Sequence, residues 1–132
     1  GTQLRTVEEL MIIGSKMPFV NESLNMKKAL QIISKKKLGT LIVQNNKKIT
    51  TGIITDGQIR RFNRMSNNLQ NLSVKKVMTK NPISINQDTL AEKALSIMNA
   101  KKITSLCVHK DKNKKKTVGI LHIHNILQSN IH

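Results

Sequence analysis

The sequence is a repeat. VEELM at Val7–Met11 returns as VKKVM at Val74–Met78. KALQIISKKKLGTLIV at Lys28–Val43 returns as KALSIMNAKKITSLCV at Lys93–Val108, and GIIT at Gly52–Thr55 returns as GILH at Gly119–His122. Only loop lengths shift between the copies. A duplication of this kind constrains the architecture before any single residue does, because whatever one copy folds into, the chain of 132 residues contains twice. A unit of roughly 55 to 60 residues buries too little surface to be comfortable alone, so the copies are expected to pack on each other. The expected boundaries are a lead-in over 1–6, a first copy over 7–64, a polar hinge over 65–73 and a second copy over 74–132.

Each copy shows the same order of elements. A short extended segment follows a proline, Pro18-Phe19-Val20 and Pro82-Ile83-Ser84-Ile85, and the second alternates as a half-buried strand does. An amphipathic helix comes next. Met26, Ala29, Leu30 and Ile33 fall at i, i+3, i+4 and i+7, as do Ala91, Ala94, Leu95 and Met98. Ser23 and Asp88 are candidate N-caps, and Thr89 with Glu92 fits a capping box. Two strands follow, Thr40–Val43 with Thr51–Thr55 and Ser105–Val108 with Val118–Ile123. Polar loops join them at Gln44–Lys48 and His109–Lys116. A second helix closes each copy, from about Gly57 and from about Asn125. The fold class is therefore α/β in the α+β sense, strand-helix-strand-strand-helix, twice.

With two Phe and neither Trp nor Tyr, the core must be aliphatic. The formal charge of +16 points by itself to a polyanion. The lysines are dispersed, however, and two aromatics leave little for bases to stack on, so nucleic acid is not the expected partner. A basic surface that recruits a phosphorylated small molecule fits better, with Lys112–Lys116 a solvated hairpin tip. Cys107, the single cysteine, excludes an intrachain disulfide and is expected to be an inert thiol between Leu106 and Val108. No apolar run approaches the ~20 residues needed to span a membrane, and the N-terminus lacks the order of a signal peptide. A cytoplasmic protein without a membrane partner is expected. No Gly-rich phosphate loop, paired-His zinc helix or nucleophile elbow occurs, so neither a catalytic residue nor a metal site is assigned.

The motif V-x-x-V-M-T at Val74–Thr79 with Asn81-Pro82, and G-I-I-T-D-G-Q-I at Gly52–Ile59, resemble those of paired cystathionine-β-synthase-type (CBS) domains. The resemblance runs from about Val7 to Ser129. It implies two copies related by a pseudo-twofold axis, clefts between them that take nucleotides, and dimers formed through helices beside the clefts. Ile59, Phe62, Ile126 and Leu127 are the apolar positions such a dimer would use. LGTLIV, TDGQIRR, VMTKNP and GILHIHNIL together resemble, more narrowly, the C-terminal regulatory half of bacterial arabinose-5-phosphate isomerases. In that family a preceding sugar-isomerase (SIS) domain performs the chemistry, which leads to Kdo for lipopolysaccharide. The chain is then expected to be a regulatory piece of such an enzyme, with Thr2–Thr6 as the end of the linker.

The resemblance also selects candidate ligand residues: Thr40, Thr55, Asp56 and Gln58 in the first copy, and Thr104, His122 and Asn125 in the second. A strand-end hydroxyl and the first N–H groups of a helix can donate to anionic oxygens. The family's ribose-binding carboxylate is replaced here by Gln58 and Asn125, which are neutral amides. His122 stands where the first copy has Thr55. No cofactor is required. A nucleotide is the expected regulatory ligand, with the sugar nucleotide CMP-Kdo ahead of AMP or ATP. Each residue also has a plainer role open to it. Thr55 can cap the following helix, Gln58 and Asn125 can be first-turn residues, and His122 and His124 can hydrogen-bond without holding a metal.

Overall fold

The structure, a computed structural model, describes residues 4–36, 38–65 and 68–129. The start of the expected lead-in, two residues of the expected hinge and the last three residues lie outside that range. Two compact units are present, one formed by Pro18–Pro82 and the other by Gly1–Met17 together with Ile83–His132.

In the Pro18–Pro82 unit, β1 (Phe19–Asn21) leads to α1 (Met26–Lys36), β2 (Thr40–Gln44), β3 (Thr50–Thr55) and α2 (Asp56–Met65). The unit closes with α3 (Val74–Val77) and β4 (Thr79–Lys80). The sheet order is β1-β2-β3-β4, with β1 parallel to β2 and the other pairs antiparallel. Met26, Ala29 and Ile33 of α1 pack with Leu41, Val43, Ile54, Ile59, Val74 and Val77 in one buried aliphatic cluster. The helical spacing of the first three residues is what aims them at the sheet.

The other unit repeats this plan. A short helix, α4 (Val7–Leu10), packs with β5 (Ser84–Asn86), α5 (Ala91–Lys101), β6 (Ser105–His109), β7 (Gly119–His122) and α6 (Ile123–Gln128). β5 is parallel to β6, and β6 antiparallel to β7. Its core joins Val7 to Ile85, Ala91, Ala94, Met98, Leu106, Val108, Leu121 and Ile126. The two V-x-x segments do the same job in the two units. Val74 N–H donates to the Leu24 carbonyl and Met26 N–H to the Leu72 carbonyl; Val7 N–H donates to the Thr89 carbonyl and Ala91 N–H to the Arg5 carbonyl. Each short helix is thereby tied to the start of a long one. The segment that opens the first copy in sequence thus folds with the strands and helices of the second.

The helix starts differ from the capping expectations. The side chain that caps α1 is Asn25, whose Oδ1 accepts from Lys28 N–H at 2.9 Å. Ser23 instead bonds through its N–H and hydroxyl to Asn21 Oδ1, in a turn that precedes the helix. At α5 the cap position is Leu90, without a side-chain bond, and Asp88 N–H donates to Asn86 Oδ1. The Thr89–Glu92 box is not formed, because α5 starts at Ala91 with Leu90 at the cap position, which leaves Thr89 one residue outside it.

Candidate functional site

The strand-to-helix junctions that carry the candidate residues are built alike. At the first, β3 ends at Thr55, paired across the sheet with Thr40. Asp56 N–H donates to the Gly39 carbonyl at 3.0 Å and α2 begins at once. Gln58 N–H donates to Thr55 Oγ1 at 3.3 Å, and Thr55 N–H donates to Gln58 Oε1 at 2.9 Å. This is a reciprocal capping box of the Thr-x-x-Gln kind, and it starts the helix one residue earlier than the sequence suggested. The Gln58 amide nitrogen donates to Thr79 Oγ1 at the head of β4, so the glutamine also ties the junction to the sheet edge.

At the second junction, Ile123 N–H donates to the Thr104 carbonyl at 2.8 Å. His122 N–H donates to Asn125 Oδ1 at 2.8 Å, and His124 N–H donates to His122 Nδ1 at 3.1 Å. Histidine can cap because an unprotonated ring nitrogen accepts as a hydroxyl oxygen does; its remaining proton is then on Nε2. Burial, followed by the neighbouring His124, lowers the pKa of His122 and so favours this neutral form. The two rings lie 4.5 Å apart between centroids, tilted by 58°. Among the described residues no group of three or more His, Cys, Asp or Glu is placed to hold a metal ion.

The register shows which positions correspond. Thr40 faces Thr55, and Ser105 faces His122. Ser105, not Thr104, is therefore the partner of Thr40 in the repeat, and Thr104 stands where the first copy has Gly39. Thr40 and Ser105 are buried, whereas Thr104 is exposed. Asp56 is exposed at the first turn of α2. Gly39 makes room for it: the glycine has φ +67°, and a Cβ there would lie 2.9 Å from Asp56 Oδ2.

Sequence reasoning missed Arg60. A Cβ built on Gly57 would meet only Thr55 Oγ1 at 3.8 Å and Arg60 Nη2 at 3.9 Å, so the guanidinium folds back over the open first turn of α2. The signal was available, since Gly57 and Arg60 are three apart and share a helix face. The junction thus offers a helix start, an uncovered glycine and a cation, three features that suit an anionic oxygen.

Other expectations resolve within the units. Cys107 is buried, and burial pushes its thiol up to about 11, opposed by a hydrogen bond with Thr117. Ile59 and Ile126 are buried in the cores of their own units, so neither is available for an outer contact. Leu127 remains exposed and Phe62 partly so. No helix of the described residues is long and apolar enough to cross a membrane.

The duplication corresponds to a known family. The CBS domain model matches residues 7–64 and again residues 74–131. The chain belongs to the CBS domain family. An uncharacterized protein of Rickettsia prowazekii is 32% identical over 99% of this chain and 40% of its own length. The arabinose 5-phosphate isomerase of Salmonella typhi is 31% identical over 97% of this chain and 38% of its own. The chain therefore spans about two-fifths of the length of these curated relatives. Among solved structures, CBSX2 of Arabidopsis thaliana in complex with AMP superposes with a TM-score of 0.79 at 23% identity, covering 94% of both chains. The CBS pair of MJ0100 with 5′-methylthioadenosine and S-adenosylmethionine gives 0.82 at 19%, covering 95% of this chain and 94% of that one. At such identities these likenesses establish the fold.

Proposed function

We propose that the chain is the regulatory CBS pair of an arabinose-5-phosphate isomerase and that its strand-to-helix junctions take a nucleotide or sugar nucleotide. The observation that carries the parent enzyme is the 31% identity to the Salmonella typhi isomerase along 97% of this chain. In this reading a SIS domain of the same parent protein isomerises the sugar phosphate, and the pair senses a product of that pathway in the cytoplasm. The pair supplies no catalytic group, requires no cofactor and works as a homodimer. Neither nucleic acid nor membrane is a partner.

The adenosine ligands named for CBSX2 and MJ0100 support a nucleotide class. The junctions argue for a departure within it. Gln58 and Asn125 are neutral, and each accepts one backbone N–H already. A ribose held elsewhere by a carboxylate would find a weaker acceptor here. Arg60 and the first turn of α2 still favour an anionic group. CMP-Kdo, the sugar nucleotide at the end of this route, is accordingly the ligand expected ahead of AMP or ATP.

A thermal-shift panel of CMP-Kdo, CMP, AMP, ATP and arabinose 5-phosphate tests this, repeated on Thr55→Ala and Arg60→Gln. A ligand at a hundredfold excess over Kd stabilises by about 2.7 kcal/mol. CMP-Kdo should raise the midpoint by several degrees and lose that effect in both variants. An AMP or ATP shift without a CMP-Kdo shift would show that the missing carboxylate does not set specificity. No shift at all would favour a second reading, a structural dimerisation module without a ligand. One observation favours that alternative: each junction satisfies its own polar groups through the reciprocal caps. A free-standing CBS regulator of another enzyme or transporter would respond to the panel in the same way as the first reading. Isomerase activity of the parent protein, with and without the ligand, separates those two.

A further inference from the structure

The lysine run between β6 and β7 is more than a solvated tip. Its backbone is held at several points. Asn86 Nδ2 donates to the Asp111 carbonyl at 2.7 Å, fastening the loop to the end of β5. Asn113 N–H donates to the Lys110 carbonyl, Lys114 N–H to Lys112, and Lys116 N–H to Asn113, at 3.3, 3.1 and 3.2 Å. Asp111 takes a left-handed conformation, φ +56°, to turn the chain. The loop so folded encloses an open hollow of about 520 Å³ lined by Lys110, Asp111, Lys112, Asn113, Lys116 and Val118. Three lysines and one aspartate are among the residues that line it, with Lys114 and Lys115 on the same loop. The corresponding loop of the first copy, 45–49, carries only Lys47 and Lys48.

We propose that this hollow is a second anion site, for a linear oligophosphate group of the kind that ends a nucleoside triphosphate or a pyrophosphate. A lone monoanion would gain little from ammonium groups in contact with water. Several linked phosphates can meet Lys110, Lys112 and Lys116 together, and the anchored backbone lowers the ordering cost of doing so. The Asn113 amide can donate to a bridging oxygen, and Val118 gives the hollow an apolar side. The hollow opens at the far end of β6 and β7 from His122. It is therefore independent of the junctions and of any ligand they take.

His109, at the end of β6, provides an internal reporter. It is buried, its Nδ1 lies 2.6 Å from Ser84 Oγ, and its pKa is lowered by burial and then by the nearby Lys114. An anion bound on the loop offsets the lysine's charge and moves the His109 titration to higher pH.

The test is calorimetric titration of the 132-residue chain with inorganic tripolyphosphate, set against sulfate at matched ionic strength. The variants are Lys112→Gln/Lys116→Gln and, as a control of equal charge, Lys27→Gln/Lys28→Gln on the exposed side of α1. Tripolyphosphate should bind with defined stoichiometry and sulfate should not. The loop variant should weaken binding by about tenfold, as two exposed charge contacts warrant, while the α1 variant leaves it unchanged. The His109 proton resonances should titrate at higher pH with the anion present in the unaltered chain. Equal weakening by the two variants would mean a general counter-ion effect and overturn the proposal. So would binding of a DNA duplex or phosphatidylserine vesicles through the same lysines with none of tripolyphosphate. A circular-dichroism spectrum and melting temperature unchanged in the loop variant exclude misfolding as the cause of lost binding.

Discussion

Replacing Gly52 by alanine should unlock the edge of one sheet. Gly52 begins the repeated G-I-I/G-I-L motif and pairs with Lys80 across β3 and β4. A Cβ at this position would collide with Met78 Sδ, lie 2.7 Å from Met78 Cγ and lie 2.9 Å from the Thr79 carbonyl oxygen. The thioether can swing aside, because methionine has several low-energy rotamers. The carbonyl cannot, because it belongs to the backbone of β4. Overpacking of this kind costs about 1–3 kcal/mol, and a displaced β4 would also strain the bond from Gln58 to Thr79. For a chain of this size each kcal/mol is worth roughly 3–5 °C. A fall of about 5–10 °C in Tm is therefore expected, read by circular dichroism at 222 nm with urea titration as a check. Gly119→Ala is the internal comparison. Its Cβ would press on Met11 Sδ, but the nearest backbone atom, the Ile12 carbonyl oxygen, is 3.2 Å away, so a smaller fall is expected. In a Met78→Ala background the cost of Gly52→Ala should shrink without vanishing, since the Thr79 contact persists. A Gly52→Ala protein that melts within a degree of the parent would refute the reasoning. So would one whose loss is smaller than that of Gly119→Ala.

Gln58→Ala and Asn125→Ala should each lower stability by about 1 kcal/mol, the usual cost of a lost cap, in urea unfolding followed by circular dichroism; no change would mean the reciprocal bonds carry no weight. His109 and His122 have lowered pKa values in the folded chain, so the unfolded chain takes up protons first as pH falls. Their contribution is present above the unfolded value of about 6.5 and lost below it, so the urea midpoint should drop between pH 7.5 and 5.5, and less in His109→Gln. A rising midpoint would contradict this. Cys107, with its thiol pushed up to about 11, should resist a disulfide reagent at pH 8 in the native chain and react once urea is added.

The element order was legible because two copies gave two readings of one pattern, and because aliphatic spacing alone aims α1 and α5 at their sheets. The tie between the Val7 segment and the second copy was not legible. It rests on backbone bonds from Arg5 and Val7 to Ala91 and Thr89, which no side chain announces. Asp88 and Thr89 looked like caps because their residue types suit one, but α5 starts late enough to put Leu90 at the cap position. Gln58 and Asn125 stood out as departures from the family's carboxylate, but their positions three residues after Thr55 and His122 already spelled a capping pattern. Ser105 was not among the candidate residues, although the constant offset of the repeat already sets it against Thr40, and the strand register agrees. Arg60 was legible only in part: its spacing of three from Gly57 puts both on one helix face, but that its guanidinium rather than that of Arg61 lies beside Gly57 depends on where the helix starts.

Amide NMR titration of the isotopically labelled chain with CMP-Kdo, followed by AMP, tests the ligand role of the junctions most directly. A ligand at the junctions must displace or reorient the reciprocal caps, so the largest shift changes should fall on Thr55–Ile59 and on His122–Asn125. The Arg60 side-chain resonances should move with them. Saturable shifts confined to those two segments are the predicted result. Shifts that appear only elsewhere, or none at millimolar ligand, would contradict a ligand-sensing role for the pair.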